Sequence, residues 1–96
     1  MGKLEILKQL HTLKPILKEE FAVKSVGLFG SFAKGRGRPS SDIDLLVEFS
    51  QPIGLFRFLE LEDFLSRRLG HRVDLVSRKS LKPIIGTYIL KHLITA

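Results

Sequence analysis

Asp42-Ile43-Asp44, at the head of the apolar run Leu45-Leu46-Val47, constrains the fold of this chain more than any other stretch. In a strand, successive side chains alternate between faces, so Asp42 and Asp44 project to the same side, about 6.5–7 Å apart. Ile43, Leu45, Val47 and Phe49 then form an unbroken apolar face on the other side. Like charges side by side repel, and each carries a raised pKa unless a cation neutralises it. Mg²⁺, a hard cation that takes one or two carboxylates plus substrate phosphates, is the natural neutraliser. The plainer alternative is a strand entry whose first Asp caps a turn while the second is solvated.

Upstream, Leu4, Ile6, Leu7, Leu10, Leu13, Ile16 and Leu17 recur at helical spacing and predict an amphipathic helix over residues 3–20. Pro15 lacks a backbone donor and predicts a kink or a division near Leu13-Lys14. Val23–Phe29 reads as a strand containing the small residues Ser25 and Gly27. Gly30-Ser31 breaks it, and Ser31 as N-cap could start one turn of helix over Phe32-Ala33-Lys34. Gly35, Gly37 and Pro39 exclude regular structure before the second strand, Ser41–Phe49.

Leu55–Leu69 is strongly amphipathic, with Leu55, Phe58, Leu59, Leu61, Phe64, Leu65 and Leu69 on its apolar side and Glu60, Glu62, Asp63, Arg67 and Arg68 outside; Gly70 terminates it. His71–Ser77 reads as a third strand with Arg72, Asp74 and Val76 on one face. Ser80 is placed to cap a last helix, with Pro83 in its first turn, that runs to the terminus. The order α-β-α-β-α-β-α predicts one α/β (α+β) domain over residues 1–96, a small mixed sheet of about three strands with helices on its apolar face. The ten-residue link between Ser31 and Asp42 permits a hairpin, and the helical link before the third strand permits a parallel pair.

Three parts suited to phosphoryl-type transfer follow. Gly30 lets backbone approach a phosphate, Ser31 adds a hydroxyl, and donors at a helix start point toward it. The Asp42/Asp44 pair is the second part. Asp74, a carboxylate midway through a short apolar strand, is the third and needs a partner. That partner is either Arg72 on the same face or an ion shared with Asp42 and Asp44. If the third strand lies beside the second, the three acids converge, and such a cluster can hold two Mg²⁺ about 3.5–4 Å apart. Lys34, Arg36 and Arg38 are positioned to meet a triphosphate or departing pyrophosphate. His11, His71 and His92 share no ligand spacing, and Tyr88, the only tyrosine, is expected to pack in the core or an interface.

No apolar run approaches the ~20 residues that span a bilayer. The first residues interleave charge with leucine, unlike a signal peptide, and there is no cysteine, so the cytoplasm is the expected compartment. A net charge of +6 favours a polyanionic or phosphate-bearing ligand, although the basic stretches lack the interleaved aromatics that stack bases.

Gly30-Ser31, ten residues, then Asp42-Ile43-Asp44, followed by Arg72-Val73-Asp74-Leu75-Val76-Ser77, resembles the signature of the polymerase-β nucleotidyltransferase superfamily, and specifically its minimal nucleotidyltransferase (MNT) family. The tail Leu81–Ile94 is similar to that family's closing helix. The resemblance implies Mg²⁺-dependent transfer of AMP from ATP with release of pyrophosphate. Asp42, Asp44 and Asp74 would be the metal-binding catalytic residues, and Gly30 and Ser31 would position the triphosphate. Lys34 stands where the family often has Arg; it retains charge but loses the bidentate fork. The resemblance further implies an antitoxin that adenylylates a tyrosine of a small HEPN-type toxin. A chain of 96 residues leaves no room for a second substrate domain, so the acceptor is expected on a partner chain. Contact-only neutralisation of the partner, small-molecule nucleotidyl transfer and nucleic-acid binding are the alternatives. Oligomeric state is left open by the sequence.

Overall fold

The computed structural model describes residues 1–96 as four α-helices, a four-stranded sheet and one 3-10 turn. Helix α1 (Lys3–Phe21) leads into β1 (Val23–Phe29), a single turn α2 (Gly30–Ala33), β2 (Ile43–Phe49) and α3 (Leu55–Leu69). Then come β3 (Val73–Ser77), the turn Arg78–Ser80, α4 (Pro83–His92) and β4 (Ile94–Thr95). Strand order is β3-β2-β1-β4, with β1 antiparallel to β2 and β4, and β2 parallel to β3. The expected hairpin and parallel pair are both present.

The core lies between one face of this sheet and α1 and α3. Ile6, Leu10 and Leu17 of α1 and Leu61, Leu65 and Leu69 of α3 are buried against Val26, Leu28, Ile43, Leu45, Val47, Val73 and Leu75. Each fully buried leucine or isoleucine contributes about 1.5–3 kcal/mol relative to exposure. This burial overrides the proline: α1 is one element through Pro15, because Leu10, Leu13 and Leu17 must reach the same core from both sides of it. Arg57 joins the helices, stacking 4.4 Å from the Phe21 ring centroid and donating to the Glu20 carbonyl.

The C-terminus departs from expectation. The last helix ends at His92, and Ile94 and Thr95 pair with Leu28 and Gly27 as a fourth strand. A methyl group added at Gly27 would meet Leu93 Cδ1 at 2.6 Å, so the Leu93 side chain covers the second face there. Two caps also differ: Phe29 precedes α2, leaving Ser31 inside its single turn, and Lys82 precedes α4, with Ser80 absorbed in the 3-10 turn. Pro83 does occupy the first helical position of α4, where its missing N–H is harmless.

Candidate active site

The second face of the sheet carries the acids. Cross-strand partners share a face, and Phe29 pairs with Asp44, Gly27 with Leu46, and Ser25 with Glu48. On the other side of β2, Asp44 lies in parallel register with Asp74. Neighbouring strands are about 4.8 Å apart, so the two carboxylates stand side by side. Asp42 immediately precedes β2, and its charge acts on Asp44 from the third side. Burial pushes Asp44 from its ordinary 3.8 up to about 6, and the charges of Asp74 and then Asp42 push the same way.

Gly30 is what admits Asp44 to this position. Its φ is +75°, a left-handed conformation that L side chains rarely adopt, and a Cβ there would lie 2.1 Å from Asp44 Oδ2. The close approach that requires glycine is thus made by the site's own carboxylate. Ser31 follows inside α2, half-buried, with its carbonyl accepting from Arg36 N at 2.8 Å.

Two side-chain pairings are not among those the sequence suggested. Arg72 faces Asp42 at 3.7 Å and not Asp74; both members are substantially exposed, so the pair is weak. Lys34 donates from Nζ to Tyr88 Oη at 2.7 Å, and the ammonium lies 5.0 Å from the ring centroid. Tyr88 is therefore not core: 55% of it is exposed, on α4 where that helix meets α2. The Lys34 hydrogen bond, then its charge, lowers the Tyr88 phenol below its ordinary value.

Sequence reasoning missed three supports. Ser66 Oγ accepts from Val73 N at 3.2 Å, and Glu62 Oε2 accepts from Leu75 N at 2.9 Å. Residues four apart on α3 thereby satisfy alternate donors along the outer edge of β3, on either side of Asp74. The i, i+4 spacing of Glu62 and Ser66 is visible in sequence, but its meaning depends on the docking of α3. His71 is the third support: its Nε2 hydrogen-bonds the Ser41 carbonyl, and the Phe32 ring packs edge-on at 5.4 Å. That anchors the end of the basic loop one residue before Asp42.

The donor set suits a hard divalent cation, being all carboxylate oxygen, with Asp44 carrying an unfavourable charge that such an ion would relieve. As folded, no three acidic or imidazole groups close on a single point. The expected convergence of Asp42, Asp44 and Asp74 on one point is therefore absent, with Asp42 lying 3.7 Å from Arg72. A cleft of about 570 Å³ lies elsewhere, lined by Glu48, Phe58, Ser77 and Arg78 at the opposite end of β2 and β3. No helix is long and apolar enough to cross a membrane.

Residues 10–94 match the nucleotidyltransferase domain family. The chain is 41% identical over 90 residues to protein adenylyltransferase MntA of Thermococcus cleftensis, covering 94% of this chain and 91% of that one. A solved structure described as a minimal nucleotidyltransferase superposes with a TM-score of 0.84 at 31% identity, covering 98% of this chain and 95% of that one. A chain of the complex between a tri-AMPylated Shewanella oneidensis HEPN toxin and MNT antitoxin shares the fold, with a TM-score of 0.69 at 20% identity over 94% of this chain and 70% of that one. The paired acids over Gly30, on a sheet of this order, thus sit in a chain that belongs to the nucleotidyltransferase domain family, in its minimal branch.

Proposed function

We propose that this chain transfers AMP from ATP to a tyrosine hydroxyl of a HEPN-type partner protein in a Mg²⁺-dependent reaction, as the antitoxin of a toxin–antitoxin module. The observation that carries the reading is the side-by-side placement of Asp44 and Asp74 over a glycine that cannot be replaced without displacing Asp44. The Thermococcus relative's name and the AMPylated toxin of the Shewanella complex support adenylyl transfer to a protein.

In this reading Asp44 and Asp74 hold divalent metal, joined by Asp42 once it leaves Arg72. The metal supplies charge neutralisation for the triphosphate and for the attacking oxygen. Backbone at Gly30 and Ser31 positions the triphosphate, and Lys34 offers a charge-assisted hydrogen bond to a phosphate oxygen. Asp74, exposed on the edge strand β3, accepts the proton of the incoming hydroxyl at a carboxylate oxygen in this reading. The oxygen then forms its bond to the α-phosphorus as the bond to the β-phosphate breaks.

The test is incubation with labelled ATP, MgCl₂ and the HEPN-type product of the adjacent gene, followed by peptide mapping. Label on a partner tyrosine, lost with EDTA and in Asp44→Asn, is the expected result. A stable complex that never acquires label would overturn the catalytic reading in favour of neutralisation by contact.

A further inference from the structure

The hydrogen bond between Lys34 and Tyr88 puts an acceptor hydroxyl inside the chain itself. Gly30, the first residue of α2, lies against the Asp44 carboxylate, and Lys34 directly follows the last. Four residues of helix rise about 6 Å, so the Lys34 backbone lies one helical turn from Gly30, its N–H bonded to the Gly30 carbonyl at 3.2 Å. Its ammonium holds the Tyr88 oxygen at 2.7 Å. An ammonium has three donors, so Lys34 can hold a phosphate oxygen and the phenol at once. Two such hydrogen bonds place phenol and phosphate within about 5–6 Å, and both side chains are exposed and free to change rotamer. Tyr88 is the only tyrosine in the chain and more than half exposed.

We propose that Tyr88 is an acceptor for the chain's own adenylyl transfer, its phenolic oxygen taking AMP from ATP held at the Asp44–Asp74 face of the same molecule. This rests on the adenylyltransferase reading above. Tyr88 Oη forms a bond to the α-phosphorus, the bond from that phosphorus to the bridging oxygen of the β-phosphate breaks, and pyrophosphate leaves with the electron pair. The phenolic proton passes to bulk water, to which Tyr88 is open. Lys34 favours the step twice, by holding the oxygen and by making the phenol more acidic through its hydrogen bond and charge. The product is a phosphodiester on Tyr88.

The experiment uses the full chain with ATP and MgCl₂, read by intact mass and peptide mapping, with the HEPN-type partner labelled in a parallel reaction. One adenylyl group per chain, on the peptide containing Tyr88, is expected. Label should fall to background in Tyr88→Phe, and also in Asp44→Asn, whose folding is checked by circular dichroism. A protein that labels its partner while Tyr88 stays bare overturns this inference and leaves the proposed function standing. Failure to label either acceptor overturns both. Mixing Asp44→Asn with Tyr88→Phe separates routes: label on the Asp44→Asn chain would mean transfer between molecules and would overturn the intramolecular arrangement.

Discussion

Replacing Asp44 by Asn removes a charge that the folded chain tolerates poorly, and the gain can be sized. Raising a carboxyl from 3.8 to about 6 corresponds to about 3 kcal/mol, at about 1.36 kcal/mol per pH unit. Asp44 is only half-buried, and solvent screens much of that, so a gain of about 1–1.5 kcal/mol is expected. The folded-state value lies above the unfolded one, so the folded chain holds the proton more tightly between pH 3.8 and about 6. The stability Asp44 contributes is therefore fully present below pH 3.8 and is lost as pH rises through about 6. Metal-free Asp44→Asn should be more stable than the native sequence at pH 7.5, by about 4–12 °C in Tm for a domain of this size, and the difference should close at pH 3.5. Thermal melts at both pH values measure it. At pH 7.5, MgCl₂ should raise the native Tm and leave the variant unmoved, while AMP transfer is abolished in the variant. A difference that stayed constant with pH, or a variant less stable at neutral pH, would refute the claim that Asp44 is under electrostatic load.

Gly30→Ala should cost about 2–4 kcal/mol, combining a left-handed alanine at about 1–2 kcal/mol with displacement of Asp44. In an Asp44→Ala background the penalty should shrink toward the backbone part alone, a coupling above ~1 kcal/mol in a double-mutant cycle by urea melts. Glu62→Ala leaves Leu75 N without its acceptor and should cost about 1–3 kcal/mol, whereas Glu62→Gln retains an oxygen and should lose little; chemical denaturation separates them. Lys34→Ala should raise KM for ATP by about 10–100-fold with a smaller change in kcat, the signature of a lost charge-assisted contact to the triphosphate, by steady-state kinetics.

Where one periodicity decided the structure, the sequence was enough. Leu55–Leu69 alternates faces at helical spacing and ends on Gly70, and the helix has those bounds. Val23–Phe29 is a strand at the expected positions because apolar residues and flanking breakers agree. Asp44 and Asp74 could be placed side by side because two strand registers and one crossover leave little choice, whereas the expected convergence of Asp42 with them on one point is not present in the fold. Where a local signal competed with packing, packing won: Pro15 sits within α1 because the core takes leucines from both sides of it. Ile94-Thr95 was hidden for another reason. Two residues carry no period, and their strand state comes from the free edge of β1, which no local pattern reveals. Tyr88 and Lys34 stand 54 residues apart, and their meeting depends on how α4 returns across α2.

The same contrast explains how a site with this much repulsion keeps its shape. Ile43, Leu45, Val73 and Leu75 pin β2 and β3 from the core side, directly behind Asp44 and Asp74. Glu62 and Ser66 hold the outer edge of β3 at the residues flanking Asp74, and His71 ties down Ser41 beside Asp42. Backbone positions of the acids are thus set by apolar packing and hydrogen bonds that do not depend on their charge. In the proposed metal-bound state the one adjustment is a side-chain turn of Asp42 away from Arg72, and an exposed pair of that kind resists by only about 0–1 kcal/mol. Neutralising the charges then reorganises almost nothing, so metal binding should appear as a gain in stability with little change in backbone structure. A large Mg²⁺-induced change in amide chemical shifts along α1, on the far side of the core from the acids, would contradict that preorganisation.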